Sequence, residues 1–171
     1  IRSTACKERM MELNKTITIT VLVGEKIEDN RELVARMYAE GHLIGNHTFT
    51  HVQLSKVDGK QALEEIVKTN TLIEEITGEP VRYIRPPYGS YSNSLLMQIN
   101  MTPVLWSVDP EDWNTDNTGQ VVKSVVANVK CGDIILLHDI YDSSVAAALE
   151  IVDELKAKGF IFVTVDQLLL D

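Results

Sequence analysis

Cysteine is scarce in this chain, with Cys6 and Cys131 the only two. That is too few for a disulfide scaffold, and their spacing matches no zinc cluster. A single bridge is one reading; two unpaired thiols is the one the sequence favours. Positive charge is also short: 16 Lys and Arg face 25 Asp and Glu, a formal net charge of −9. Such a chain has no basic stripe to neutralise phosphates, which excludes an ordinary nucleic-acid binder. Acidity suits a neutral or cationic substrate without selecting one. No apolar run approaches the ~20 residues of a membrane-spanning helix. The opening Ile1-Arg2-Ser3-Thr4 lacks the basic flank and apolar stretch of a signal peptide. Low-complexity tracts, linkers and internal repeats are missing as well. What remains is 171 residues, 44% hydrophobic and 24% charged, enough for one domain over 1–171 with a proper core.

Helical and strand patterns alternate along it. Ser3 to Leu13 reads as a helix. Thr16 to Val23 is β-branched and alternating, a strand closed by Gly24. Asp29 to Ala39 has helical apolar spacing and stops near Gly41. His42 to Gly45 forms a short strand. Asp58 to Thr77 is the longest predicted helix, with Asp58 and Gln61 as a capping box and Gly78 and Pro80 as terminators. Val81 to Arg85 is a strand cut off by Pro86-Pro87. A short helix through Leu95 and Leu96, a strand over Val104 to Val108, a helix over Gly119 to Val129 and a strand over Asp133 to Leu137 follow. The chain ends on a helix over Ser144 to Lys158, a strand over Phe160 to Val163 and a trailing Val165 to Leu170. Repeated β-then-α units with short connections imply an α/β fold with a mainly parallel sheet wrapped by helices.

Four polar clusters fall just after predicted strands, where active sites of parallel βα folds assemble. His47 and His51 are two of only four histidines. If the backbone turns helical there, the i, i+4 spacing puts both imidazoles on one face, able to reach one ion. The bland alternative is a pair of solvated or capping histidines. His42 precedes its strand and reads as an ordinary surface or capping residue. Arg85, ahead of two prolines, is either a surface ion-pairing residue or a fixed guanidinium holding a carboxylate. Tyr88-Gly89 forms a tight turn whose backbone N–H groups can face an oxyanion. Asp109-Pro110-Glu111-Asp112-Trp113 reads as a capped acidic turn or as a pocket wall. His138 ends the apolar run Ile134 to Leu137, as a satisfied core group or as a proton carrier. Held by a carboxylate such as Asp112, it would serve as a general acid. Metal, acid and oxyanion hole together amount to metal-assisted hydrolysis of an acyl bond.

In order and spacing, four segments resemble motifs of the polysaccharide deacetylases, the NodB-homology or carbohydrate esterase family 4 domain. They are His47-Thr48-Phe49-Thr50-His51, Arg85-Pro86-Pro87-Tyr88-Gly89, Asp109-Pro110-Glu111-Asp112-Trp113 and Leu136-Leu137-His138. The resemblance implies a distorted (β/α) barrel of about seven strands that removes acetyl groups from a polysaccharide using a divalent metal. Zinc, cobalt and nickel suit such ligands about equally, with zinc first. By the same carry-over, His47 and His51 would ligate metal, and Thr48 would hydrogen-bond to steady their loop. Arg85 would tune the catalytic base and the Tyr88 N–H would bind the oxyanion. Asp112 would hold His138, the general acid. Trp113, Leu136 and Pro87 would line the substrate site. A polymeric substrate further implies an extracellular or cell-surface location.

The family's first motif, a Thr-Phe-Asp-Asp-Gly-Pro-like segment supplying the base and a metal-ligating aspartate, has no match here. Val52 also stands where the second motif often has proline. The chain thus reads as beginning just past its first strand, with an N-terminal segment completing the barrel, and this polypeptide alone is expected to be inactive or nearly so. Peptidoglycan or chitin-type N-deacetylation is the leading reading. An acetylxylan esterase and a carbohydrate-binding pseudoenzyme are the alternatives.

Overall fold

The structure, a computed structural model, describes residues 19–169. The helix expected over Ser3 to Leu13 and the first residues of the Thr16 to Val23 strand lie outside them. The described residues fall into two compact units, one of 19–105 with 164–169, the other of 106–163.

The first unit is built on a parallel sheet. Strands β1 (Ile19–Leu22), β2 (Leu43–Asn46), β3 (Tyr83–Ile84) and β4 (Thr102–Pro103) lie side by side in chain order. Helices α1 (Arg31–Ala39) and α2 (Gly59–Thr77) make the crossovers that parallel pairing demands. Local chemistry sets the limits of α2. The Asp58 carboxylate accepts the Gln61 N–H at 2.9 Å, and Gly78 closes the helix at φ 73°. Its buried face carries Ala62, Ile66, Thr69 and Ile73, at helical spacing. Two apolar clusters fill this unit, one around Ile27, Val34, Ile44, Ile73 and Val81, the other around Leu54, Ile66, Ile84 and Leu95. Beyond β3 come the short helix α3 (Asn93–Leu96), capped by Ser92, and, late in the chain, α6 (Val165–Leu169).

The second unit packs helices α4 (Thr118–Asn128) and α5 (Asp142–Ala157) around Val121, Val125, Ala147, Ile151 and Leu155. Its only strand-like pairing among the described residues is a parallel bridge between Val108 and Ile135. Leu136 donates to the Val108 carbonyl at 2.9 Å, while Ser107 and Val108 both donate to the carbonyl of Ile134.

Three expected strands are corrected. The Val104 to Val108 segment keeps only a bridge at Val108, because sheet pairing is taken up at Thr102–Pro103 just upstream. Asp133 to Leu137 is likewise reduced to a bridge at Ile135. Phe160 to Val163 has no strand pairing among the described residues; Phe160 and Phe162 instead pack on the core. Short apolar runs supplied the strand signal, and burial without a ladder satisfies it equally well. The cysteine expectation is corrected too. Cys131 is disulfide-bonded, not a thiol, and the chain's other cysteine, Cys6, lies outside the described residues. Pairing depends on spatial approach, which spacing along the chain does not reveal. No helix among the described residues is long and apolar enough to cross a membrane.

Candidate active site

In the first unit, β2 and β3 end side by side. Their register pairs Asn46 with Ile84, so His47 and Arg85 are the next residue on each strand. The Arg85 N–H donates to the Asn46 carbonyl at 2.9 Å. His47 Nδ1 in turn lies 2.5 Å from the Arg85 carbonyl oxygen. A carbonyl only accepts, so this contact places the proton on Nδ1 and leaves Nε2 as the lone-pair nitrogen. Metal-ligating histidines are held in this way.

The expectation of a helical turn from His47 to His51 is corrected. The segment is a loop in which Thr48 (φ 63°) and His51 (φ 60°) are both left-handed. Those two reversals bring the imidazoles to a ring-centroid distance of 4.8 Å at an interplanar angle of 70°. The Tyr88 ring stands against His51 at 5.1 Å. Tyr88 is itself left-handed (φ 59°), inside the tight turn Pro87–Gly89 that Pro86 and Pro87 lead into. The bonds closing that turn are donated by Gly89, to Pro86, and by Ser90, to Pro87. Tyr88 is exposed, and Pro87 is buried.

Two side chains that sequence reading missed shape the loop. Asn46, fully buried, accepts the Thr48 N–H at 2.7 Å and donates to the Ile66 carbonyl and to Asn70 Oδ1. Glu65 on α2 accepts the Phe49 and Thr50 N–H groups at 2.9 and 2.7 Å, and the Thr50 hydroxyl at 2.9 Å. Lys68 lies 3.5 Å above the Phe49 ring. A signal for Glu65 was present: it shares a helix face with Ala62 (i−3) and Thr69 (i+4), both buried. Thr48 steadies the loop through its main chain. Its N–H bonds Asn46 and its carbonyl accepts from Gly24, whereas its buried hydroxyl has no hydrogen-bond partner.

Gly24 is where β1 meets this loop. A Cβ there would lie 2.5 Å from Thr69 Oγ1, 2.6 Å from Phe49 Cδ2 and 3.0 Å from the Phe49 Cα. Gly24→Ala is therefore expected to destabilise the protein by about 1–3 kcal/mol, as overpacking of a filled site does. Urea unfolding would measure the loss.

Arg85 is buried and donates from Nε to the Val104 carbonyl at 3.1 Å. Desolvation by burial draws its pKa below the ordinary arginine value. The carboxylate partner expected from the sequence is not found among the described residues, where Arg85 makes no ion pair.

In the second unit, Asp112 and His138 form a dyad. Asp112 is 1% exposed and uses both oxygens on one residue: Oδ2 accepts the His138 backbone N–H at 2.7 Å, and Oδ1 faces His138 Nδ1 at 2.8 Å. With Nδ1–H donated to the carboxylate, Nε2 is the atom that exchanges a proton. The Val108–Ile135 bridge sets this up by aligning the two segments that lead to Asp112 and His138. Glu111, left-handed at φ 54°, turns the chain into the short 3-10 segment Asp112–Asn114. Trp113, next to Asp112, is 52% exposed; Leu136, two residues before His138, is buried. The structure thus gathers His47, His51, Arg85, Tyr88 and Pro87 in one unit, and Asp112, Trp113, Leu136 and His138 in the other.

Metal fit can be judged on donor chemistry. A Nδ1-protonated His47 beside His51 offers neutral imidazole nitrogen of the kind that zinc, cobalt and nickel accept. The pair fits a divalent ion as two donors. Among the described residues no group of three His, Cys, Asp or Glu gathers at one point.

A model of the polysaccharide deacetylase family matches residues 10–104. The peptidoglycan-N-acetylmuramic acid deacetylase PdaC of Bacillus subtilis is 40% identical over 147 residues, covering 86% of this chain and 32% of that protein. The chain spans about a third of the length of that relative and of the Listeria monocytogenes deacetylase PgdA. A chitooligosaccharide deacetylase of Sinorhizobium fredii is 34% identical, covering 85% of this chain and 76% of that protein. The solved structure of Bacillus subtilis PdaC superposes with a TM-score of 0.88 at 36% identity, over 98% of this chain and 83% of that one. The chain belongs to the polysaccharide deacetylase family.

Proposed function

We propose that this protein hydrolyses the acetamido bond of an N-acetylated glycan of the peptidoglycan or chitin type, with a divalent metal held by His47 and His51. The observation that carries the reading is the His47 Nδ1 contact with the Arg85 carbonyl, which leaves Nε2 as the lone-pair nitrogen beside a second imidazole. Similarity to peptidoglycan and chitooligosaccharide deacetylases supports the choice of substrate.

Hydrolysis forms an oxygen–carbon bond from water to the acetyl carbon, breaks the C–N bond and sends a proton to the departing nitrogen. A bound divalent ion supplies Lewis acidity toward the acetyl oxygen and makes water a better nucleophile. The Tyr88 N–H donates to the oxygen that gains charge, a role for which a fixed turn is suited. His138 Nε2 gives its proton to the leaving amine while Asp112 holds the ring. Trp113, Leu136 and Pro87 bound the acetyl group. Arg85, bonded through Nε to the Val104 carbonyl, adds a buried positive charge behind the histidine pair. The distorted barrel of the family is the frame we propose for these groups, and a glycan substrate places the protein outside the cell or at its surface.

Two imidazoles among the described residues are fewer than the about three protein ligands of a catalytic site, and the 171-residue chain by itself is expected to release acetate near background. The test uses the full-length protein with N-acetylglucosamine oligomers, peptidoglycan and acetylxylan. Acetate is expected from the N-acetylated substrates, lost on chelation and restored by zinc, cobalt or nickel. Release from acetylxylan alone would sink the N-acetyl reading. Glycan binding indifferent to chelator, with no release from any polymer, would make the protein a binding domain.

A further inference from the structure

We infer that Glu65 is a positioning residue for the metal site: its carboxylate clamps the loop between the two histidines into its ligating shape. The inference rests on the metal-binding reading of His47 and His51.

Two left-handed residues, Thr48 and His51, bracket the stretch Phe49-Thr50. Left-handed backbone at residues with a Cβ is held only where surrounding structure over-determines it. Here the surroundings are the Gly24 and Glu25 N–H groups, which donate to the Thr48 and Phe49 carbonyls, and one face of α2. Glu65 takes all three donors that Phe49 and Thr50 present: both N–H groups at Oε2 and the hydroxyl at Oε1. Charge-assisted bonds to N–H groups are about twice as strong as neutral ones. On the same helix, Asn70 Oδ1 and the Ile66 carbonyl hold Asn46, whose own oxygen holds Thr48. The Glu65 carbonyl is in turn bonded by the Thr69 hydroxyl, which also closes off Gly24. Glu64, beside Glu65 in the sequence, is exposed and has only a 3.8 Å pairing with Lys60. The same residue type one position away thus serves as a control.

With Glu65 removed, Phe49 and Thr50 lose their acceptors and the loop can relax toward ordinary backbone, which moves the two rings apart. Outer supports of metal ligands commonly account for about 10- to 100-fold in affinity. Glutamine at this position keeps an oxygen for the two N–H groups and turns its amide toward a hydroxyl that can accept.

The experiment titrates zinc into the full-length protein by calorimetry and follows amide exchange at Phe49 and Thr50. Glu65→Ala is expected to weaken zinc by about 10- to 100-fold and to remove protection at the two amides. Glu65→Gln is expected to restore most of both, and Glu64→Ala to change neither. Alanine and glutamine variants equally impaired, or a folded Glu65→Ala protein within about two-fold of wild-type affinity, would overturn the clamp. A wild-type protein that binds no zinc would overturn the metal reading itself and the inference with it.

Discussion

Replacing Asp112 by asparagine is expected to lower kcat on N-acetylated oligomers by about 10²- to 10⁴-fold, the contribution of a positioned general acid. The carboxylate receives two bonds from His138, one from the backbone and one from Nδ1. An amide offers one acceptor oxygen and sets an NH₂ group against a donor. Whichever way it turns, one His138 donor goes unmet, or the ring flips its tautomer and Nε2 can no longer give up a proton. Asp112 is fully buried, so stability should fall as well, by about 1–3 kcal/mol for an unsatisfied buried group. His138→Ala supplies the comparison: it removes the proton carrier, and its loss of kcat should match or exceed that of Asp112→Asn. Steady-state kinetics with the KM and kcat effects separated would check both, since a group acting only on the leaving nitrogen lowers kcat and spares KM. A loss confined to KM would take the dyad out of the chemistry.

The second large effect is expected at the histidine pair. His47→Ala or His51→Ala should abolish stoichiometric metal binding in the full-length protein and, with it, acetate release. Elemental analysis after dialysis gives the first readout and the acetate assay the second. His47→Gln is the sharper variant. Its amide can still donate to the Arg85 carbonyl, so the β2–β3 junction stays bonded while the ligand nitrogen is gone. A fold unchanged by circular dichroism with metal content near zero is the expected outcome. Full metal occupancy in His47→Gln would show that the ion is held elsewhere.

Much of the first unit was legible before any coordinates. The α2 helix declares itself because both of its boundaries are local: Asp58 caps Gln61, and Gly78 alone takes the left-handed turn cheaply. Strand β2 was legible for a similar reason, as a short apolar run between Gly41 and the polar Asn46. The loop from His47 to His51 was not. Its spacing suggested a helix, yet its shape is set by Glu65 and Ile66, fifteen to twenty residues away, and no local pattern carries that information. The second unit was least legible. Val104 to Val108 and Asp133 to Leu137 carry strand-like residues, but whether such segments pair is decided by neighbours, and only Val108 and Ile135 do. The disulfide at Cys131 was hidden for the same reason. The Asp112–His138 contact was inferable because His138 ends the apolar run Ile134 to Leu137, where a polar group needs a partner, and Asp112 lies in an acidic turn that can supply one.

Thr48, His51, Tyr88 and Glu111 are the non-glycine residues with positive φ among those described. All four fall in the three turns that carry the candidate chemistry, and each costs about 1–3 kcal/mol relative to relaxed backbone. Glycine is the residue such dihedrals favour, and at His51 it would take away a candidate metal ligand. A search for stabilising substitutions would therefore single out this set first. Selection for heat resistance alone would tend to erode the site, so any thermostabilised variant should be screened for ligand geometry alongside its melting temperature.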